Sequence, residues 1–439
     1  MPQEDAHSVK QTVFTSWKML IGIKDSFSSL KWETKFLCIT SLFWGVPGSM
    51  TAQFLSLYMT ELGATPTNIG SFSTITLLAS ALFLPIAGYL ADTYGRKWVM
   101  ICFDGCRIGT DLIQAWAGFT GDWRFFFLSS FFQGLQNIGG TFFNLMTMES
   151  VPPAQRSHAF IAFRLSWIIP TIFMPSLGYV VVSSFGLVYG IRILLIISAV
   201  SVITASFLRI HYLKDPYKSS KRDPGYGGGL TFGRIRNAGS EELDAIKWLG
   251  RNSNVVKVWL FMITETFALN VTTRYTTLYI TTYLCLDPVV LAILPAISTT
   301  VTLAMMLFVA TPYLAHRGEK LRRTILITSI IAPTSSILFL LATNLLDLTV
   351  SQSLHNVGSS IYDPAANALW TNIIPRERRG RIFALSTLIK NIVILPAPVL
   401  GGYVFEWIDP RGPFFILVAL ECLAVVAIAS AKEPRNQEI

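Results

Sequence analysis

Twelve apolar stretches follow one another along the chain, and most are long enough to cross a bilayer as a helix. They lie near residues 36–60, 66–91, 98–119, 125–149, 158–182, 187–210, 255–281, 288–313, 323–343, 348–372, 381–405 and 413–431. The core of a bilayer is about 30 Å thick, which a helix of about 20 apolar residues spans. The sequence therefore predicts an all-α polytopic membrane protein with twelve transmembrane helices. Buried helices of a large soluble protein are the alternative.

The composition favours the membrane protein. Charged residues make up 14% of the chain, whereas about 25% is typical of soluble domains. The net charge is +9, but the basic residues lie between apolar runs rather than in a patch, so we expect no nucleic-acid partner. The cysteines fall in or beside apolar runs, and neither a histidine nor a third cysteine lies near Cys102 and Cys106. We therefore expect no metal site and no cofactor.

Lysine and arginine mark one side of the membrane. They are concentrated in the even-numbered connections between runs, whereas the odd-numbered connections hold only Arg124 and Arg411. The positive-inside rule places the basic side, with both termini, in the cytoplasm, and we expect a multi-pass protein of the plasma membrane. Residues 1–34 show apolar residues at helical spacing beside lysines, which predicts an amphipathic segment at the headgroup level; a mobile tail is the alternative.

The two halves of the chain repeat each other. A shift of 223 residues places Pro152 on Pro375 and Asn144 on Asn367, and a shift of 221 aligns the first run with the seventh. Parallel repeats of this kind are typical of transporters. The predicted organisation is a cytoplasmic amphipathic N-terminal segment (1–34), an N-terminal six-helix bundle (35–211), a cytoplasmic linker with a short helix (212–254), a C-terminal six-helix bundle (255–432) and a cytoplasmic tail (433–439).

A motif follows the second run, where residues 88–97 read Gly-Tyr-Leu-Ala-Asp-Thr-Tyr-Gly-Arg-Lys, and a degenerate copy occupies residues 314–320. This segment resembles the loop between helices two and three of the major facilitator superfamily (MFS). The E-x6-R spacing of Glu149 and Arg156 is similar to a charge pair of several MFS branches. The resemblance implies a transporter built from two pseudo-symmetric six-helix bundles.

The resemblance also implies a latch that closes the cytoplasmic side when the protein opens outward. Gly95 permits a tight turn, and the carboxylate of Asp92 can accept hydrogen bonds from a helix N-terminus in the opposite half. Simple anchoring of the loop by its basic residues is the alternative. The predicted cytoplasmic gate comprises Asp92, Gly95, Arg96, Lys97, Glu149, Arg156 and Arg379.

Polar side chains form stripes on the first, fourth, seventh and tenth runs, which surround the central path in the MFS arrangement. In the fourth run they recur at steps of three and four residues, which is one helix face. Polar groups facing lipid are costly, so the stripes should face protein or water. The predicted substrate-binding residues are Ser49, Gln53, Gln133, Asn137, Asn144, Asn270, Arg274, Asn356, Ser360 and Asn367. Hydrogen bonds between helices are the alternative role.

Charges within the runs carry more weight, because each costs at least about 2.5 kcal/mol at the bilayer centre. Asp363, near the middle of the tenth run, is our hypothesis for the proton-coupling group or for a contact to a substrate cation. Glu265 is a second candidate for proton coupling, although it lies about 100° off the polar stripe of the seventh run. Arg274 would bind a substrate anion or pair with an acid, and a permanent Asp–Arg bridge is the alternative.

Together these features predict a secondary active transporter that moves a small organic solute by alternating access, as a proton-coupled symporter or antiporter. We expect a monomer in the lipid bilayer and no enzymatic activity, since His355 stands alone on its run and no nucleophile–base set is evident. One alternative is a multidrug/proton exporter of the same fold, which is weakened because Ser130 stands where such exporters resemble one another by an arginine. Another is a membrane-embedded sensor or enzyme without transport.

Overall fold

The computed structural model describes residues 32–149, 156–213, 250, 252–305, 321–374 and 379–432. Within these ranges the chain is almost entirely helical and has no β-strand, which confirms the all-α prediction. Every apolar run contains at least one helix. By length and hydropathy, seven of the described helical segments could cross a membrane. The total of twelve spans stays a prediction.

The helices of the N-terminal half are α1 (Trp32–Ala52), α2 (Leu55–Glu61), α3 (Pro66–Tyr94), α4 (Arg96–Thr120), α5 (Phe125–Glu149), α6 (Arg156–Phe185) and α7 (Leu187–Tyr212). Those of the C-terminal half are α8 (Ser253–Thr272), α9 (Thr276–Leu278), α10 (Val290–Met305), α11 (Leu321–Ser329), α12 (Ile331–Leu341), α13 (Leu345–Ile373), α14 (Arg379–Ile394), α15 (Ala397–Trp407) and α16 (Gly412–Ser430). A π-helical turn, Tyr279–Tyr283, continues α9.

The first and seventh runs are broken at equivalent places. Gln53 and Phe54 interrupt the chain between α1 and α2, and residues 273–275 interrupt it between α8 and α9. The shift of 221 places Arg274 on Gln53, so the same position of the repeat is non-helical in both halves. Broken helices free backbone groups for ligands and are a common feature of transporter binding sites.

Glycine packing repeats in the same way. A Cβ atom on Gly178 of α6 would collide with the carbonyl oxygen of Met50 in α1. A Cβ atom on Gly401 of α15 would collide with the carbonyl oxygen of Val271 in α8. The shifts of 223 and 221 relate both members of these pairs. Each half therefore brings two helix backbones together at a glycine, as small residues allow in membrane bundles.

Two compact units emerge from the contacts within the chain. One comprises residues 1–65, 75–227 and 287–300, and the other comprises 66–74, 228–286 and 301–439. The short segments 66–74 and 287–300 are thus each grouped with the unit opposite to their sequence half. The predicted domain boundaries stay a prediction, and the amphipathic segment, most of the linker with its short helix, the tail and the loop copy at 314–320 lie outside the described residues.

A buried ion pair and a buried hydrogen bond hold the third and sixth runs together in the first unit. Arg209 Nη1 of α7 lies 2.7 Å from Asp104 Oδ2 of α4, and both side chains are at most 1% exposed. Arg107 Nε lies 2.9 Å from Asp111 Oδ2, one turn further along α4. The hydroxyl of Ser198 on α7 donates to the same oxygen of Asp111. These bonds fix the register of α4 against α7.

Candidate functional site

A cavity of about 400 Å³ opens within the first unit. Helices α1, α4, α5 and α6 line it, together with the break between α1 and α2. Its walls combine two tryptophans, three carboxamides, a serine, a threonine and one guanidinium group. This volume falls in the range of small-molecule sites, about 300–1,000 Å³.

Three of the predicted substrate-binding residues line this cavity, namely Ser49, Gln53 and Asn137. Gln133 is not among the lining residues, and the Thr76 hydroxyl lies 3.4 Å from its Oε1 atom. That contact satisfies the amide between two helices, which is the alternative role considered for the polar stripes. The side chain of Asn144 lies outside the described part of the chain.

The other ten lining residues were not predicted, and among them are Trp44, Arg107, Gln136 and Trp167. Tryptophans inside apolar runs give no signal of their own, because aromatic residues are common in membrane helices. The position of Gln136 directly before Asn137 could have drawn attention to it. Arg107 pairs with Asp111 one turn along its own helix, yet its side chain keeps 15% exposure.

The predicted polar residues of the C-terminal half bond mainly to their own helices. The side-chain amide of Asn270 donates to the Thr266 carbonyl at 2.8 Å, and that of Asn367 donates to the Asp363 carbonyl at 2.8 Å. The hydroxyl of Ser360 donates to the carbonyl of Val357. Asn356 is half-buried on α13, and Arg274 lies in the break between α8 and α9.

The acidic residues of this half differ sharply in exposure. Asp363 is exposed, whereas Glu265 of α8 and Glu421 of α16 are 5% and 0% exposed. Within the described part of the chain, no carboxylate oxygen of Glu265 or Glu421 makes a hydrogen bond of standard geometry, although Tyr362 lies close to Glu265 and Ser336 lies close to Glu421. Glu421 and Asp363 both lie close enough to Glu265 to interact with it electrostatically. Buried acids are expensive to keep in the ionised form.

A histidine accompanies the acids. Nδ1 of His355 on α13 lies 3.7 Å from Glu421 Oε1 and 3.4 Å from the hydroxyl of Ser335. The sequence did not link His355 with Glu421, because they lie on different helices far apart in the chain. No three metal-ligating side chains converge on one point in the ranges that the structure describes.

The predicted gate is described only in part. Gly95 has a φ of 95°, a left-handed conformation that favours glycine, and it directly precedes α4. The ammonium group of Lys97 donates to the Ile210 carbonyl at 2.7 Å, which ties the loop to the end of α7. Arg96 is half-buried. The side chains of Asp92, Glu149, Arg156 and Arg379 lie outside the described part of the chain.

Comparison with known proteins assigns the chain to a family. The sequence model of the Major Facilitator Superfamily matches residues 37–344 and, in a second match, 297–438. The chain belongs to the Major Facilitator Superfamily. As a member of this superfamily it is a multi-pass membrane protein of a transporter family.

Relatives within the superfamily carry several different substrates. The chain is 25% identical over 388 residues to a multi-drug resistance efflux pump PmrA homolog of Lactococcus lactis, covering 85% of this chain and 88% of that protein. The crystal structure of the nucleoside transporter NupG is similar with a TM-score of 0.65 and 16% identity, over 92% of this chain and 100% of the other. That of a D-xylose–proton symporter has a TM-score of 0.68 and 13% identity, over 91% and 97%. The two structures support the MFS fold alone.

Proposed function

We propose that this MFS protein is a secondary active transporter of a small organic solute, coupled to protons and working by alternating access. The observation that carries the proposal is a division of chemistry between the halves. The N-terminal half holds a cavity lined by amides and aromatic rings, and the C-terminal half holds the buried carboxyls of Glu265 and Glu421. A solute site and a proton site are the two elements that coupled transport requires.

Coupling follows if proton binding changes the relative stability of the two conformations. A ligand shifts such an equilibrium only through its differential affinity for the two states. The electrostatic cost of a buried carboxylate depends on its surroundings, so a conformational change that alters access to Glu265 also alters its affinity for a proton. Asp363, which is exposed and interacts electrostatically with Glu265, is our candidate for exchanging that proton.

The test is solute-driven proton movement in proteoliposomes that contain a pH-sensitive dye. A panel of aromatic acids, nucleosides, sugars and cationic dyes is added outside, and the internal pH is recorded. We expect at least one member to drive proton flux in the wild type, and Glu265→Gln to lower that flux at least about tenfold. Glu61→Gln, an exposed glutamate on α2, is the matched control. Wild-type flux in both Glu265→Gln and Asp363→Asn would remove these acids from the mechanism.

Multidrug export coupled to protons is the second candidate. The similarity to a multi-drug resistance efflux pump homolog over most of both chains favours it. The two tryptophans of the cavity also suit flat aromatic compounds of several shapes. Efflux of preloaded ethidium from cells that express the protein, compared with cells expressing Glu265→Gln, separates this candidate from a carrier with a narrow substrate range.

We further propose a plasma-membrane location with both termini in the cytoplasm, a monomeric state, and a cytoplasmic gate formed by the seven residues predicted above. The bond from Lys97 to the end of α7 supports a role of this loop in fixing the cytoplasmic end of the helix. Reporter fusions at each terminus, one active only in the cytoplasm and one only outside, test the orientation. The proposal that the protein is not an enzyme rests on its membership of a transporter family.

A further inference from the structure

We propose that the cavity of the first unit binds a flat aromatic solute that carries an anionic group and a separate hydrogen-bond donor. This inference deepens the proposed transport function, because it assigns a substrate class to the cavity. It rests on three features of the cavity wall: a pair of tryptophans, a guanidinium group with an unused donor, and a carboxamide oxygen without a donor.

The tryptophans provide the aromatic surface. The rings of Trp44 on α1 and Trp167 on α6 meet edge to face, with 5.9 Å between their centroids and an interplanar angle of 73°. Trp44 is 9% exposed, and Trp167 is half-buried. Edge-to-face and offset stacking are the preferred geometries of aromatic pairs. A third flat ring that enters the cavity can continue this arrangement against Trp167.

Arg107 determines the sign of the charge that a solute meets. Its Nε atom donates to Asp111, and its Nη2 atom donates to the hydroxyl of Ser198. Within the described residues, no hydrogen bond to Nη1 is found, and a guanidinium group has five N–H donors. The Arg107 side chain is 15% exposed against 2% for Asp111, so the cavity meets the cation rather than its partner.

The lining favours a carboxylate beside the Arg107 guanidinium. Arg107 lines the cavity, whereas Asp111 does not and is 2% exposed, so a solute in the cavity meets the attraction of Arg107 more directly than the repulsion of Asp111. Asp104, the other acid on α4, is already paired with Arg209. Charge-assisted hydrogen bonds to arginine are about twice as strong as neutral ones. An anionic solute should therefore bind better than a neutral one of the same shape.

Gln136 adds the requirement for a donor. This residue of α5 lines the cavity and is 6% exposed, and its Oε1 atom is buried without a hydrogen-bond partner among the described residues. Leaving a buried acceptor unsatisfied costs free energy that a bound hydroxyl or amino group would recover. The ligand should therefore present an O–H or N–H group at a distance from its anionic end.

The experiment compares probes that share one ring system and differ in charge. The probes are 6-hydroxy-2-naphthoate, the corresponding neutral 6-hydroxy-2-naphthamide, and 2-naphthoate, which lacks the hydroxyl group. Binding to the purified full-length protein is measured by quenching of tryptophan fluorescence and by isothermal titration calorimetry. We expect 6-hydroxy-2-naphthoate to bind about tenfold more tightly than either of the other two probes. Equal affinity for the carboxylate and the amide would overturn the proposal.

Variants assign the preference to its residues. Arg107→Gln combined with Asp111→Asn removes both charges together, so no buried acid is left unpaired, and the preference for the carboxylate should disappear. Gln136→Leu should abolish the advantage of the hydroxyl group alone. Trp167→Leu should weaken all three probes, whereas Trp116→Leu, at an exposed position of α4, should weaken none. A full preference for the carboxylate in the double variant would contradict the proposal.

Failure of this inference is separable from failure of the proposed function. Probe binding is measured without a membrane or a gradient, whereas transport is measured by proton flux in vesicles. A protein that binds 6-hydroxy-2-naphthoate as expected but moves no protons would contradict coupled transport and leave the binding site intact. A protein that moves protons with another solute but does not distinguish the naphthoate from the naphthamide would contradict the binding site alone.

Discussion

The two halves share one architecture but treat buried charge in opposite ways. In the N-terminal half, Asp104 is paired with Arg209 and Arg107 with Asp111. In the C-terminal half, Glu265 is also buried, but no salt bridge of Glu265 to a lysine or arginine is found within the described residues. An ion pair favours the charged forms of both partners, whereas burial without a cation favours the protonated carboxyl. The two halves therefore share their backbone arrangement but differ in how their buried charges are paired.

Equivalent positions of the repeat show where the halves diverged. The shift of 221 places Glu265 on Trp44, and the shift of 223 places Asp363 on Gly140. Trp44 and Gly140 both line the cavity. The positions of Trp44 and Gly140 in the cavity wall thus carry acids, Glu265 and Asp363, in the other half. Under the proposed function, the same two places in the fold would serve the solute in one half and the proton in the other.

The largest effect should come from breaking a buried pair of the N-terminal half. Arg209→Met leaves Asp104 buried without its partner, and removal of one member of such a pair costs about 3–5 kcal/mol. We expect a large drop in the thermal unfolding midpoint of the protein in detergent. The double variant Asp104→Asn with Arg209→Met should recover most of the loss. A double variant as unstable as the single one would show that packing of Arg209, not its charge, is what matters.

Glycine packing should be equally sensitive in both halves. Gly178→Ala and Gly401→Ala each place a methyl group against a helix backbone, at the carbonyl oxygens of Met50 and Val271. Overpacking of this kind costs about 1–3 kcal/mol. Gly105→Ala is the control, because a Cβ atom there meets nothing within 4 Å. A loss in one half only, measured by thermal unfolding, would show that the repeat does not share its close helix contacts.

The helices could be predicted from the sequence because a bilayer leaves the chain few choices. Backbone groups in hydrocarbon must be satisfied internally, and every apolar run contains at least one helix among the described residues. The pairing of Asp104 with Arg209 could not be predicted, since the residues lie 105 positions apart and several acids compete for the same arginine. Helix ends near breaks also depend on packing: residues 273–275 leave the helix although their sequence has no proline or glycine.

Within an apolar run, the sequence reveals polar candidates for the site but not apolar ones. Ser49, Gln53 and Asn137 could be found because polar residues at helical spacing are conspicuous there. Trp44 and Trp167 could not, because their rings resemble the surrounding apolar residues and only the fold brings them together. Glu421 shows the same limit: the helix that carries it has no polar stripe, and its contact with His355 is made between helices.

A smaller effect is expected from a hydrogen bond of the N-terminal half. The hydroxyl of Tyr58 on α2 donates to the Gln114 carbonyl of α4 at 2.9 Å in a buried site. Tyr58→Phe should destabilise the protein by about 0.5–1.5 kcal/mol, the usual net value of such a bond. Tyr403→Phe, at an exposed position of α15, is the control. Equal unfolding midpoints for wild type and Tyr58→Phe would show that this bond does not hold α2 to α4.

The smallest effect on stability should come from substitution of Glu265, the buried acid of the C-terminal half. Glu265→Gln keeps the shape of the side chain and removes only its ionisable group, so we expect little or no loss of unfolding free energy, because the neutral amide avoids the cost of burying a charge. The measurement compares the unfolding free energies of Glu265→Gln and Arg209→Met, because both variants remove one buried ionisable group. If Glu265→Gln destabilised the protein as strongly as Arg209→Met, Glu265 would be a structural partner, and its proposed exchange of protons would be wrong.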